Sequence, residues 1–182
     1  MISELRDKFE MYDRSRRALL DDLANLDDHQ LSRKPGPMEW SILQIVQYMV
    51  LAERDVMQYL PEPKELIDRK RGFRARIFYL VVILILRWNI RVPVPSKRMV
   101  PDGNTSLSEL RQQWDENLRW FRGYLDSLGP EDLNRAVFSH PVAGPLTGPQ
   151  AGRLAQYHFD AHLRQIEKVK ALIISEPNGS ER

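Results

Sequence analysis

Hydrophobic residues recur every three or four positions along most of this chain, which is the spacing of one face of an α-helix. The pattern predicts long helices over residues 4–26, 41–60, 106–128 and 147–174. No alternation of apolar and polar residues is long enough to predict a strand. We therefore expect an all-α fold built as a four-helix bundle.

Three of these helices begin with the same local pattern. A serine or threonine stands three residues before a glutamine or glutamate, so that each side chain can bond the other residue's free backbone N–H. The pairs are Ser41 with Gln44, Ser106 with Glu109, and Thr147 with Gln150.

The long segment between the second and third bundle helices contains an unbroken apolar run, residues 77–86 (IFYLVVILIL). A membrane-spanning helix needs roughly 20 such residues, so the run is too short to cross a bilayer. We predict an extra helix that is buried or lies at a homodimer interface, and membrane contact is the less favoured alternative. The proline-rich residues 91–106 then predict an extended crossover, giving a bundle with one long crossover and a helical insertion.

The composition restricts the function and the cellular location. The chain has 182 residues, with 27 Lys and Arg against 25 Asp and Glu, and this balance argues against nucleic-acid binding. It contains no cysteine, which excludes disulfides, thiolate ligands and a cysteine nucleophile. A charged N-terminus unlike a secretory signal leads us to expect a cytoplasmic protein. Residues 1–175 are predicted to form one domain and residues 176–182 a disordered tail.

The residues most suggestive of chemistry are His158 and His162 in the last predicted helix. Side chains four residues apart share one face of a helix, and this spacing can present two imidazoles to one metal ion. Both histidines lie on or beside the apolar stripe of the helix. We therefore expect them to face the interior of the bundle.

Two segments resemble the DinB-like superfamily of four-helix bundles. WSILQIVQYMVLAER, at 40–54, is similar to the family pattern W-S-x-x-x-x-x-x-H-L-x-x-x-E, and HPVAGPLTGPQAGRLAQYHFDAHLRQI, at 140–166, resembles a connector followed by H-x-x-x-H-x-x-Q-I. The resemblance extends over roughly residues 5–172. It implies a bundle that holds one divalent metal with three histidines, one from the second helix and two from the last. Members of the family are described as metal-dependent enzymes, and some relatives are thiol-dependent transferases or isomerases.

The resemblance places His158 and His162 at the paired ligand positions, but the first histidine position falls on Tyr48. Zinc, nickel or iron would suit such a site. A phenol with a pKa of about 10 is a weaker ligand than an imidazole, so we expect reduced metal affinity. Tyr48 is predicted to be the third ligand or a proton donor. Gln47, if the register differs by one, and Glu53 are alternative ligands.

Two hypotheses for the function follow. In the first, the protein is a divalent-metal-dependent hydrolase or thiol transferase acting on a small molecule. In the second, it has no metal and serves in binding or dimerisation, with both histidines hydrogen-bonded to Tyr48 and to water. Gln165 is expected to bond one of the histidines or to be a polar residue at the bundle end. His140 is expected in a turn or at the mouth of the site, and His29 on the surface.

Overall fold

The computed structural model describes residues 1–66, 68, 72–88, 90, 94 and 96–175. The predicted tail, 176–182, lies outside the described residues, as does part of the crossover. The helices are α1 (Ser3–Leu23), α2 (Asp28–Ser32), α3 (Ile42–Met57), α4 (Phe73–Arg87), α5 (Leu107–Asp126) and α6 (Gly148–Ser175). Short 3₁₀ turns occupy Pro63–Glu65, Lys97–Met99 and Pro130–Asn134.

The four long helices α1, α3, α5 and α6 form the bundle. Helix α1 packs against α5 and α6, and α3 packs against the same two helices, so α1 and α3 are diagonal to each other. The interior is aliphatic around two aromatic side chains, and its fully buried members include Leu20, Leu23, Ile42, Ile45, Val46, Leu110, Trp114, Phe159 and Ile166. The predicted all-α bundle with an inserted helix is confirmed.

Two of the predicted capping boxes form as expected. The Ser41 hydroxyl accepts the Gln44 N–H and the Gln44 side chain accepts the Ser41 N–H, both at 3.2 Å. Ser106 and Glu109 cap α5 in the same way. These reciprocal bonds satisfy backbone donors that have no partner inside the helix, so they define where α3 and α5 begin.

The segment before α6 differs from the prediction because it contains a short β-hairpin. Strands β1 (Ala136–His140) and β2 (Gly144–Thr147) pair antiparallel, with His140 opposite Gly144 and an irregular register near Ala136. Gly144 has φ +70°, which a glycine adopts at little cost. Strands of five and four residues with an irregularity show too little alternation to be predicted from sequence. Thr147 ends β2, and α6 begins at Gly148, directly after the predicted cap. One half of that capping box is present, because the Thr147 N–H donates to Gln150 Oε1 at 3.1 Å.

Helix α4 lies on the surface of the bundle, so burial within the chain, the first of the two predicted alternatives, is wrong, while a homodimer interface stays a prediction. Only Tyr79 and Val82 on this helix are buried, in a small separate core that α4 forms with α6 and the hairpin. The Arg164 guanidinium of α6 donates to the carbonyl oxygens of Leu86 at 2.7 Å and Arg87 at 3.3 Å, which ties down the end of α4. Across the described ranges, no helix combines the length and the apolar character that spanning a bilayer requires.

Candidate functional site

Packing of α3 against α6 brings Tyr48 to the two histidines. The centroid of the Tyr48 ring lies 5.8 Å from that of His158 and 5.0 Å from that of His162. Trp40, which precedes α3, packs against the same phenol ring with centroids 5.3 Å apart. The register counted from Trp40 therefore places Tyr48 at the histidine pair, as the sequence pattern predicts.

The two histidines contact each other directly. Their Nε2 atoms are 3.2 Å apart, and His162 Nδ1 lies 3.0 Å from Gln165 Oε1. An amide oxygen can only accept, so His162 carries its proton on Nδ1 and its unprotonated Nε2 is a hydrogen-bond acceptor. His158 Nε2 then donates to it in the resting arrangement. Gln165 thus orients His162, which agrees with the expectation that it bonds one of the histidines.

The hydrogen bonds differ from those expected for a metal-free site. We expected the histidines to bond Tyr48, whereas they bond each other and Gln165. Tyr48 contacts them through its ring, and its hydroxyl has no hydrogen-bond partner among the described residues. The Tyr48 hydroxyl therefore makes none of the hydrogen bonds of the two imidazoles.

Burial favours the uncharged form of Tyr48, His158 and His162. Burial, with smaller contributions from the neighbouring His162 and His140, lowers the pKa of His158 to about 3. Burial also lowers the pKa of His162, against an opposing contribution from the Gln165 hydrogen bond, and raises the pKa of Tyr48. A low-dielectric environment disfavours any charged form, which moves bases down and acids up.

The other candidate residues lie in different surroundings. The Gln47 amide is bound to the crossover, donating to Asp102 at 2.8 Å and accepting from the Gly103 N–H at 2.9 Å, so it is not part of the histidine site. His140 ends β1, and its Nδ1 accepts the Val142 and Ala143 N–H groups. The hairpin packs against α6, the helix that carries both His158 and His162. His29 is exposed, as predicted.

Glu53 belongs to a second buried polar cluster, not to the histidine site. Tyr12 Oη and Trp114 Nε1 both donate to Glu53 Oε1, the latter at 2.9 Å, while Oε2 is sealed from solvent and lacks a partner among the described residues. Burial raises the pKa of Glu53 to about 7 despite these hydrogen bonds and the nearby Arg16. Sequence reasoning offered Glu53 only as a ligand. No local pattern links Glu53 to Tyr12 or Trp114, because they lie 41 and 61 positions away in the chain.

The residues at the histidine site fit a two-nitrogen metal centre. Zn–N bonds are about 2.0–2.1 Å long, so one ion can reach two nitrogens 3.2 Å apart. Within the described ranges, no group of three or more His, Cys, Asp or Glu residues is arranged to hold a metal. Any third protein ligand would therefore have to be a different type of group.

The fold and the site together define a class: a four-helix bundle that carries a histidine pair on its last helix. Residues 11–166 match the family model of the DinB superfamily, and the chain belongs to that superfamily. Over 168 residues the chain is 24% identical to the uncharacterized protein YuaE of Bacillus subtilis (strain 168), covering 90% of this chain and 97% of that protein. The name of this relative assigns it no activity.

Proposed function

We propose that this protein binds one divalent cation through Nε2 of His158 and Nε2 of His162 and uses it in chemistry on a small molecule. The observation that carries the proposal is the 3.2 Å distance between these two nitrogens. Zinc, nickel and iron all accept imidazole ligands, and any of them would act as a Lewis acid on a bound substrate.

The protonation of the histidines supports this assignment. A metal binds the neutral imidazole, and the lowered pKa values of both rings keep them neutral at physiological pH. His162 already presents a lone pair at Nε2 because Gln165 holds the proton on Nδ1. His158 Nδ1 has no partner among the described residues. Its proton can therefore move from Nε2 to Nδ1 and leave a second lone pair.

This chain differs from the three-histidine pattern at Tyr48, which stands where the pattern has its first histidine. A phenol with a raised pKa keeps its proton at neutral pH, so it is a poor third ligand and a better hydrogen-bond donor. We infer that Tyr48 orients or protonates a substrate oxygen at the site, and that metal affinity is lower than three imidazoles would give. This is the catalytic role we assign to it.

The test is zinc and nickel titration by calorimetry on protein that carries no histidine tag. We expect one ion per chain, with binding abolished in His158→Gln and His162→Gln. His29→Gln, which alters an exposed histidine on α2, is the matched control and should bind as the wild type does. Tyr48→His should bind at least tenfold more tightly, since it restores a third imidazole.

The second candidate is a metal-free binding protein that keeps the bundle. One observation favours it: the two imidazoles hydrogen-bond each other through Nε2 and Gln165 accepts from His162 Nδ1, so three of the four ring nitrogens have a protein partner without a metal. Absence of zinc and nickel binding by the wild type, with binding gained by Tyr48→His, would establish this alternative. If neither protein binds, the geometric assignment of the site is wrong.

A further inference from the structure

Helix α4 has two apolar faces, and only one of them packs on the protein. Tyr79 and Val82 face α6 and the hairpin. On the other side, six large side chains recur at three- and four-residue spacing and share one face of the helix. These six form the α4 stripe: Phe73, Ile77, Leu80, Val81, Leu84 and Trp88, with exposed fractions between 40% and 78%.

Arginine side chains border the α4 stripe on both sides. With 3.6 residues per turn, Arg74 falls along one edge of the stripe, and Arg76 and Arg87 fall along the other. All three are exposed, and none forms an ion pair with another residue that the structure describes. The helix carries no acidic residue. The exposed side of α4 is thus an apolar surface framed by positive charge.

Basic residues are concentrated in the part of the chain that contains α4, and acidic residues lie in the rest of it. Residues 69–101 contain nine Lys and Arg and no Asp or Glu. The chain has 27 basic and 25 acidic residues, so the rest of it holds 18 basic and 25 acidic residues, a net charge of −7. The almost neutral total therefore conceals one basic segment around α4 on an otherwise acidic protein.

We propose that the α4 stripe docks on the surface of an anionic phospholipid bilayer, with α4 lying in the plane of the headgroups. Apolar side chains enter the headgroup–acyl boundary, arginines pair with lipid phosphates, and Trp88 lies at the interface where tryptophan is favoured. Anionic lipids attract basic segments, while the acidic remainder of the chain is repelled. The charge distribution thus orients the protein with α4 toward the membrane.

The same charges disfavour the homodimer contact expected from sequence. In a two-fold dimer through α4, the same patch meets itself, so arginines of one copy face arginines of the other. No acidic side chain on either α4 would compensate them. Sequence reasoning favoured burial or self-association over lipid. The exposure of the α4 stripe excludes burial within the chain, and its arginine border disfavours self-association.

Co-sedimentation of the full chain with lipid vesicles tests the proposal. Vesicles of phosphatidylcholine alone are compared with vesicles that also contain phosphatidylserine, at low and at high salt. We expect binding to the phosphatidylserine vesicles at low salt and weaker binding at high salt, because salt screens the electrostatic attraction. Failure to sediment with anionic vesicles at low salt would overturn the proposal.

Matched variants separate lipid docking from general charge effects. Arg74→Gln with Arg76→Gln should weaken partition about 30-fold, since each basic residue near an anionic surface contributes about 1 kcal/mol. The control pair Arg14→Gln with Arg119→Gln removes the same charge from exposed positions of α1 and α5 and should leave partition within about threefold. Equal losses in both pairs would contradict docking through α4.

A second pair of variants tests the apolar part of the surface. Leu80→Glu should abolish binding, whereas Met38→Glu, at a side chain 94% exposed outside α4, should not. Sedimentation equilibrium on the same proteins measures their oligomeric state and so tests whether a second copy of the chain covers the α4 stripe instead of lipid. A wild-type dimer that Leu80→Glu converts to monomer, together with no lipid binding, would assign the stripe to a second copy of the chain.

Discussion

Tyr48 and Glu53 lie five positions apart on α3, yet they belong to two buried polar clusters of opposite character. Tyr48 meets the histidine pair of α6, where burial lowers the basic pKa of His158 to about 3. Glu53 meets Tyr12 and Trp114, where burial raises an acidic pKa to about 7. One physical cause, loss of hydration, moves the two groups in opposite directions. The comparison shows that the same loss of hydration favours the uncharged form of both a base and an acid on neighbouring parts of α3 and α6.

The largest expected effect concerns His158. The unfolded imidazole takes up a proton near pH 6.5, whereas the folded one resists protonation until about pH 3. Stability of the metal-free protein should therefore fall as the pH drops through this window, by at most on the order of 5 kcal/mol at 1.4 kcal/mol per pKa unit. His158→Gln should remove most of this slope in urea unfolding measured across the window. His29→Gln is the control, and an unchanged slope in His158→Gln would show that the ring is not held neutral by burial.

Glu53 should give the next largest effect, with the opposite sign. Its pKa is raised from 4.5 to about 7, so the folded state holds a proton that the unfolded state has already lost. Its contribution is full below pH 4.5 and is lost as the pH rises to about 7, by up to on the order of 3 kcal/mol. Glu53→Gln should remove this decline in unfolding free energy, while Glu10→Gln on the exposed side of α1 should retain it. A decline that survives in Glu53→Gln would mean that its carboxyl ionises normally.

The smallest expected effect is on metal affinity. It tests whether the histidine cluster, unlike the Glu53 cluster, binds a metal ion. Gln165→Leu removes the acceptor that holds the proton of His162 on Nδ1. Loss of such an orienting partner weakens metal binding about 10- to 100-fold, or about 1.4–2.7 kcal/mol. Calorimetric titration with zinc would measure it, with Glu167→Leu at an exposed neighbouring position as the control. Equal affinities in Gln165→Leu and the wild type would show that Gln165 does not tune a ligand.

Sequence patterns were reliable where local chemistry decides the structure. Ser41 with Gln44 and Ser106 with Glu109 set the starts of two helices through bonds within four residues, so no distant contact is needed to predict them. The shared face of His158 and His162 follows from helical geometry alone. The count from Trp40 to Tyr48 succeeded because both residues belong to the same local segment.

Sequence patterns failed where the outcome depends on which element packs on which. The apolar run of α4 has the composition of a buried helix, but the bundle is already closed by four others, so one face of the run stays exposed. The hairpin Ala136–Thr147 is stabilised by packing against α6 and α4, which its short strands do not reveal. The Glu53 hydrogen bonds join three helices that are distant in the chain.

By itself, then, the sequence determined the helical class, the caps and the single helix face that carries both histidines, because these depend on neighbours within a turn or two. Only the tertiary structure decided that Tyr48 contacts that face and that Glu53 accepts hydrogen bonds from Tyr12 and Trp114. It also decided that the α4 stripe is exposed. The reason is that burial, and with it pKa and exposure, is a property of how the helices meet.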